Sequence, residues 1–190
     1  MVDSWLNLLN SDWHDHTGSG KREDRLGNPA RLDRYLSQLG YHPTGSQKGE
    51  IQEALRELRT LLRTIIDHIV ADKTIPRSLW DRLNGFLASS PFIRQMEFAG
   101  GNYSIKPVAL KNDVTALIAR IAADFCQTLA EGEPARIKIC GNKDCRWVFY
   151  DRSKNRSRRW CEGDTGCGSL MKVRRFRAKT RLMRTKKKLI

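Results

Sequence analysis

Residues 140–188 read CGNKDCRWVFYDRSKNRSRRWCEGDTGCGSLMKVRRFRAKTRLMRTKKK. Four of the chain's five cysteines lie here, as the pairs Cys140/Cys145 and Cys161/Cys167. Four residues separate the first pair and five the second. An odd cysteine count in a chain without a secretory leader argues against a disulfide framework. Reduced thiols in two close pairs point instead to metal, because Zn2+ takes thiolate sulfur in a closed tetrahedral shell when its task is structural. Glycines at 141, 163, 166 and 168 give the backbone freedom to wrap an ion. The segment has too little apolar surface to fold alone, so the metal supplies folding free energy. Cys140, Cys145, Cys161 and Cys167 are therefore the expected zinc ligands.

Around the cysteines, Arg136–Ile139 alternates basic and apolar residues, and Arg146–Asp151 (RWVFYD) has strand composition. A helix is expected from about Cys167 to about Lys186, with Leu170, Val173 and Phe176 as its packing stripe. The order strand, knuckle, strand, basic loop, second cysteine pair, helix resembles a treble-clef finger.

Charge marks the boundary of this module. Residues 136–190 hold 19 Lys/Arg against 4 Asp/Glu, a net of +15, while residues 1–135 hold 16 against 17, a net of −1. A near-neutral body with a strongly basic appendage calls for a polyanionic partner. The candidate contacts are Arg152, Lys154, Arg156, Arg158 and Arg159 in the loop, and Lys172, Arg174, Arg175 and Arg177 in the helix. Arginine suits phosphate because its planar fork binds two oxygens at once. Such contacts give affinity without sequence information, and a helix in the major groove could add base readout. Of the aromatic residues Trp147, Phe149, Tyr150 and Trp160, most read as core and the remainder as stacking platforms. The closing Lys186–Lys188 run reads as a solvated tail.

Upstream, the periodicity predicts a mainly helical body. Trp5–Trp13 packs as a short helix or strand, and His14–Asn28 reads as loop. His14 and His16 have the spacing of a strand-borne metal pair, but with no third ligand they read as turn histidines. Asn28-Pro29 opens a helix to about Leu39, with Leu32, Leu36 and Leu39 on one face. The clearest helix covers Lys48 to Ala71, its apolar stripe built from Ile51, Leu55, Leu58, Leu62, Ile65, Ile66 and Ile69. Arg56, Arg59 and Arg63 read as a solvated face paired with Glu53 and Glu57. A helix over Pro76–Ala88 precedes a β-hairpin about Ala99-Gly100-Gly101-Asn102. The last body helix starts after Asn112, its expected N-cap, with Cys126 a buried structural thiol. Glu131–Pro134 reads as the hinge, giving residues 1–134 as body and 135–190 as finger. The fold class is α+β: a mainly helical N-terminal domain with a small hairpin, and a treble-clef-like zinc finger.

The run Asn155-Arg156-Ser157-Arg158-Arg159-Trp160-Cys161, with the aromatic strand before it, resembles the CGNR zinc-finger family of bacterial proteins. The body, with Leu9-Asn10-Ser11, the Leu-rich long helix and the hairpin, resembles the ABATE domain that precedes this finger. The resemblance implies a zinc-dependent transcription regulator. Where the family has Asn and Arg after its last cysteine, this chain has Ser169 and Leu170, with Lys172 or Arg174 the candidate replacements.

These readings favour a nucleic-acid-binding protein, DNA over RNA, whose body senses a small-molecule effector or forms a homodimer. An RNA-binding protein and a protein-interaction module are the alternatives. Asn10, Trp13 and His14 are the candidate ligand-pocket residues. Nothing in the sequence resembles a nucleophile with a paired base, a phosphate loop or a catalytic metal motif, so an enzyme is not expected. No apolar run approaches the roughly 18–20 residues that span a bilayer. A cytoplasmic location without a membrane partner is the expectation.

Overall fold

The protein is described by a computed structural model, which covers residues 4–43, 47–161 and 166–187, with side chains as far as Arg181. Residues 44–46 between the two expected helices, residues 162–165 of the second cysteine gap, and the side chains of Lys186–Lys188 lie outside that range.

The body core is built by three helices. They are α1 (Ser4–Leu9), α3 (Lys48–Val70) and α5 (Val114–Glu131). The α3 stripe is inward as its period requires: Leu61 joins Ile51, Leu55, Leu58, Leu62, Ile65 and Ile66 as buried, while Ile69, near the helix end, is only partly buried at the core margin. Trp5 meets Phe125 edge-on, with ring centroids 5.3 Å apart, and donates its indole N–H to Thr128 Oγ1 at 3.1 Å. An amphipathic ring is buried at low cost when its N–H finds such a partner.

Helix α2 (Pro29–Gln38) opens on Asn28, whose Oδ1 accepts the Arg31 N–H at 3.3 Å, with proline in the first turn. Leu32, Tyr35 and Leu36 are its buried face, and Leu39 lies only at the edge of the core. Helix α4 (Arg77–Ala88) buries Leu83 fully and packs Leu79, Trp80, Phe86 and Leu87 at the margin.

Strands β3 (Phe92–Ala99) and β4 (Asn102–Ala109) form the expected hairpin. Its turn places Gly100 at φ 59° and Gly101 at φ 82°, the left-handed pair that a two-residue turn demands. One face of the hairpin leaves Met96, Phe98, Tyr103 and Ile105 exposed.

Three expectations change. The 14–28 segment is not all loop: β1 (Asp12–His14) pairs antiparallel with β2 (Arg22–Asp24), and a 3-10 turn spans Arg25–Gly27. Polar three-residue strands leave no alternating apolar signal to read. The cap of α5 is Asp113 rather than Asn112, its Oδ1 accepting the Ala116 N–H at 2.9 Å. Arg56, Arg59 and Arg63 are half-buried rather than a solvated face; of the expected pairings Arg56 meets Glu53 at 4.0 Å, while Glu57 pairs with Arg82. Arg56 Nε and Arg59 Nη1 both donate to Asp24 at 2.7 Å, and Arg63 Nη1 donates to the Arg146 carbonyl at 3.1 Å.

In the C-terminal module, β5 (Ile137–Ile139) pairs antiparallel with β6 (Val148–Tyr150), and α6 spans Cys167–Lys187. Ile137 and Val148 are buried in the body's own core cluster. The stretch 131–134 is largely exposed and is tied to the C-terminal module at Glu133, whose N–H donates to the Tyr150 hydroxyl at 3.0 Å. No helix among the described residues is long and apolar enough to cross a membrane.

Candidate metal centre and the basic face around it

Strand β5 delivers Cys140 and the turn after it delivers Cys145, while the end of the basic loop supplies Cys161 and the first residue of α6 supplies Cys167. All four are buried, and their sulfurs lie within 4.8 Å of one another, with Cys145 Sγ and Cys161 Sγ 3.6 Å apart. A tetrahedral ion with metal–sulfur bonds of about 2.3 Å separates its sulfurs by about 3.8 Å. The donor set therefore fits a metal ion. The hydrogen bonds of the Cys145 and Cys161 thiols, with those of the Cys161 and Asn142 backbone, draw the Cys140 thiol well below its ordinary range. Asn142, which is 2% exposed, donates Nδ2 to Cys167 Sγ at 3.4 Å and to the His16 carbonyl at 2.8 Å. Donors aimed at ligand sulfur orient it and favour the thiolate. Gly141 packs closely here: a Cβ would sit 3.0 Å from the Trp160 ring and 3.1 Å from the Arg159 carbonyl oxygen, tighter than side chains ordinarily come.

The basic loop is ordered from within. Asp151 is fully buried and accepts from Lys138 Nζ at 2.6 Å and from the Ser153 and Arg158 N–H groups at 3.0 Å. The Lys138 and Ser153 bonds hold its carboxyl well below the usual range. Lys138 also donates to the Arg156 carbonyl and, at 3.1 Å, to the Arg158 carbonyl. A single lysine thus threads the 151–158 turn.

Several of the predicted phosphate-binding cations serve the fold. Arg158 stacks on Phe149, with its guanidinium carbon 4.5 Å from the ring centre, and donates Nε to the Trp160 carbonyl at 2.9 Å. Arg156 pairs with Glu133, and Arg159 lies over Trp160 at 5.6 Å. Arg174 donates to Asp144 at 3.2 Å and to the Thr17 carbonyl at 2.6 Å, clamping α6 to the body. Arg152 and Lys154 are exposed in the loop, and Lys172, Arg175 and Arg177 are exposed along α6.

The expected packing stripe of α6 differs. Leu170 is half-buried, but Val173 and Phe176 are 45% and 71% exposed. Among the described residues these two later apolar positions are left uncovered. Ser169, at the departure from the family pattern, is exposed on the first turn.

The three candidate pocket residues part company. Asn10 lines a cavity of about 210 Å³, but its amide is taken up by Val148. Trp13 lies under Arg25 at 5.6 Å, and His14 Nε2 meets Asp12 Oδ2 at 3.2 Å; neither lines the cavity. His14 and His16 join no metal-ligand group among the described residues. Cys126 is half-buried, its thiol pushed up by burial. Asn142, Lys138, Asp144 and Asp151 had no signal in the sequence, since their roles arise from contacts made across the fold.

Residues 3–132 match the ABATE model, described as a putative stress-induced transcription regulator, and residues 136–180 match the CGNR zinc finger. No curated protein matches the chain.

Proposed function

The chain belongs to the ABATE family and ends in a CGNR zinc finger, and from that premise we propose that it is a zinc-scaffolded DNA-binding regulator, not an enzyme, whose body senses an effector. Zinc would be held by Cys140, Cys145, Cys161 and Cys167, and as a closed-shell ion in a sulfur cage it would cross-link the finger without redox or open-site chemistry.

One observation carries the DNA reading. Lys172, Arg175, Phe176 and Lys179 recur at i, i+3, i+4 and i+7 on α6 and are all exposed. On a 3.6-residue period they form one stripe, and Arg174, the clamp to the body, lies on the opposite side. The body-facing side of the helix is thus committed to the fold, while a basic stripe faces outward. None of Lys172, Arg175 and Lys179 pairs with a carboxylate among the described residues. Lys154 and Arg159 on the loop are likewise exposed cations. A basic helix of this kind suits a nucleic-acid groove, and its cations give the salt-dependent share of affinity.

A mobility-shift titration of the full zinc-loaded chain on duplex DNA, repeated across salt, tests the proposal. With about five phosphates neutralised, log K against log salt falls with a slope of roughly −4 to −5. Lys172→Gln with Arg175→Gln reduces both affinity and slope. No duplex binding at low salt refutes the proposal, and stronger competition by structured RNA than by duplex DNA transfers it to RNA.

A further inference from the structure

The cavity beside Asn10 has a composition that the packing of the body does not call for. It opens where α1, the 25–27 turn and α2 meet Trp147, just before β6. Arg25, Arg31 and Arg34 line it together with Asn7, Gln38 and Trp147, and no lining residue is acidic. Among the described residues the carboxylate paired with these cations is Glu23, 3.2 Å from Arg31 Nε and 3.8 Å from Arg25 Nε. Three guanidiniums therefore face one carboxylate. The second distance is too long for a hydrogen bond, and Arg25 Nε is buried with no hydrogen-bond partner.

Clustering like charges around a cavity and leaving a buried N–H unpaired both cost free energy. Burial and the nearby Arg31 lower the Arg25 pKa, which is the mark of a cation in want of a counter-charge. Trp13 supports the Arg25 guanidinium from beneath at 5.6 Å and holds it in place. A forked donor positioned in this way binds a phosphate or carboxylate through paired N–H groups.

We propose that this cavity is the effector site of the protein and that it takes a small organic or inorganic anion bearing phosphate or carboxylate groups. The proposal deepens the sensing role given to the body above and rests on it. Position supplies the coupling. Trp147 is a finger residue, and the next residue, Val148, is gripped by Asn10, which lines the same cavity. An anion there touches the body through Arg25, Arg31 and Arg34 and the finger through Trp147. Its binding energy would therefore act on the joint that orients α6, as coupling between sites requires.

The test uses the full zinc-loaded chain at constant ionic strength in chloride, titrated with inorganic phosphate, pyrophosphate and succinate. Binding is followed by calorimetry and by tryptophan fluorescence, compared between the wild type and Trp147→Phe so that the signal of this residue is separated from the other four tryptophans. At least one probe is expected to saturate at one per chain, and which one saturates distinguishes a phosphate from a carboxylate ligand. Arg34→Gln and Arg31→Gln, both at exposed positions that leave the core intact, should each weaken binding by about tenfold or more. Lys172→Gln with Arg175→Gln should leave it unchanged. Two results overturn the proposal: no saturable binding of any probe, or binding that survives Arg34→Gln and is lost in the α6 variant. Duplex binding is measured on the same preparations. A chain that shifts DNA but ignores all three anions loses the effector site and keeps the regulator, and the converse result does the reverse.

Discussion

The side-chain amide of Asn10 pairs with the backbone of Val148 in both directions. Nδ2 donates to the Val148 carbonyl at 2.9 Å, and the Val148 N–H donates to Oδ1 at 2.9 Å. One side chain of the body thus completes the free edge of a finger strand as a neighbouring strand would. Both partners are buried, so neither bond can be replaced by water without rearrangement.

Removing that amide is expected to be costly. Asn10→Ala leaves a buried N–H and a buried C=O unpaired and should cost about 2–4 kcal/mol. Because Val148 belongs to the common core, chemical denaturation should show one transition moved to lower denaturant rather than a finger that melts alone. An unchanged midpoint would remove the joint from the account of stability.

Metal analysis of the purified protein should find about one zinc per chain. Cys145→Ser should bring this well below one, and a strong chelator should do the same to the wild type. The loss should also lower the melting temperature of the body, since Ile137 and Val148 join its core. A fully folded finger without metal would contradict the centre.

Arg174 and Arg175 are adjacent in sequence and should behave differently. Arg174→Gln breaks the bonds to Asp144 and Thr17 and should cost about 1–2 kcal/mol of stability while leaving the salt slope of duplex binding unchanged. Arg175→Gln should leave stability alone and reduce the slope by about 1. Equal slopes for the two variants would mean that the α6 stripe does not contact phosphate.

Asp24 gives the pH dependence a sign. Burial alone would raise its pKa, but the hydrogen bonds and charges of Arg59 and Arg56 outweigh that and hold it below the ordinary range. A folded-state pKa below the unfolded value of about 3.9 contributes stability that is complete above that value. The contribution is lost as pH falls through the lower folded value. Carboxyl NMR should place the Asp24 midpoint below the ordinary range, and Arg59→Gln should move it up; no movement would uncouple the pair.

The sequence by itself determined the elements whose signal is local. The α3 stripe repeats every 3.6 residues, Asn28-Pro29 is a capping signature, and Gly100-Gly101 can form the left-handed turn that joins β3 to β4. Two cysteine pairs at short spacing in a basic segment marked the metal centre, because a closed sulfur shell needs few residues and little else. Tertiary structure decided what each charge does. Composition treats Arg158, Arg174 and Arg175 alike, whereas the fold stacks the first on Phe149, bonds the second to Thr17 and leaves the third in solvent. Only the fold brings Arg25, Arg31 and Arg34 to one cavity with Trp147, more than a hundred residues away. Helical and turn propensities are short-range and can be read along the chain. Ion pairs, buried donors and cavities depend on distances in space between residues far apart in sequence, which periodicity does not encode.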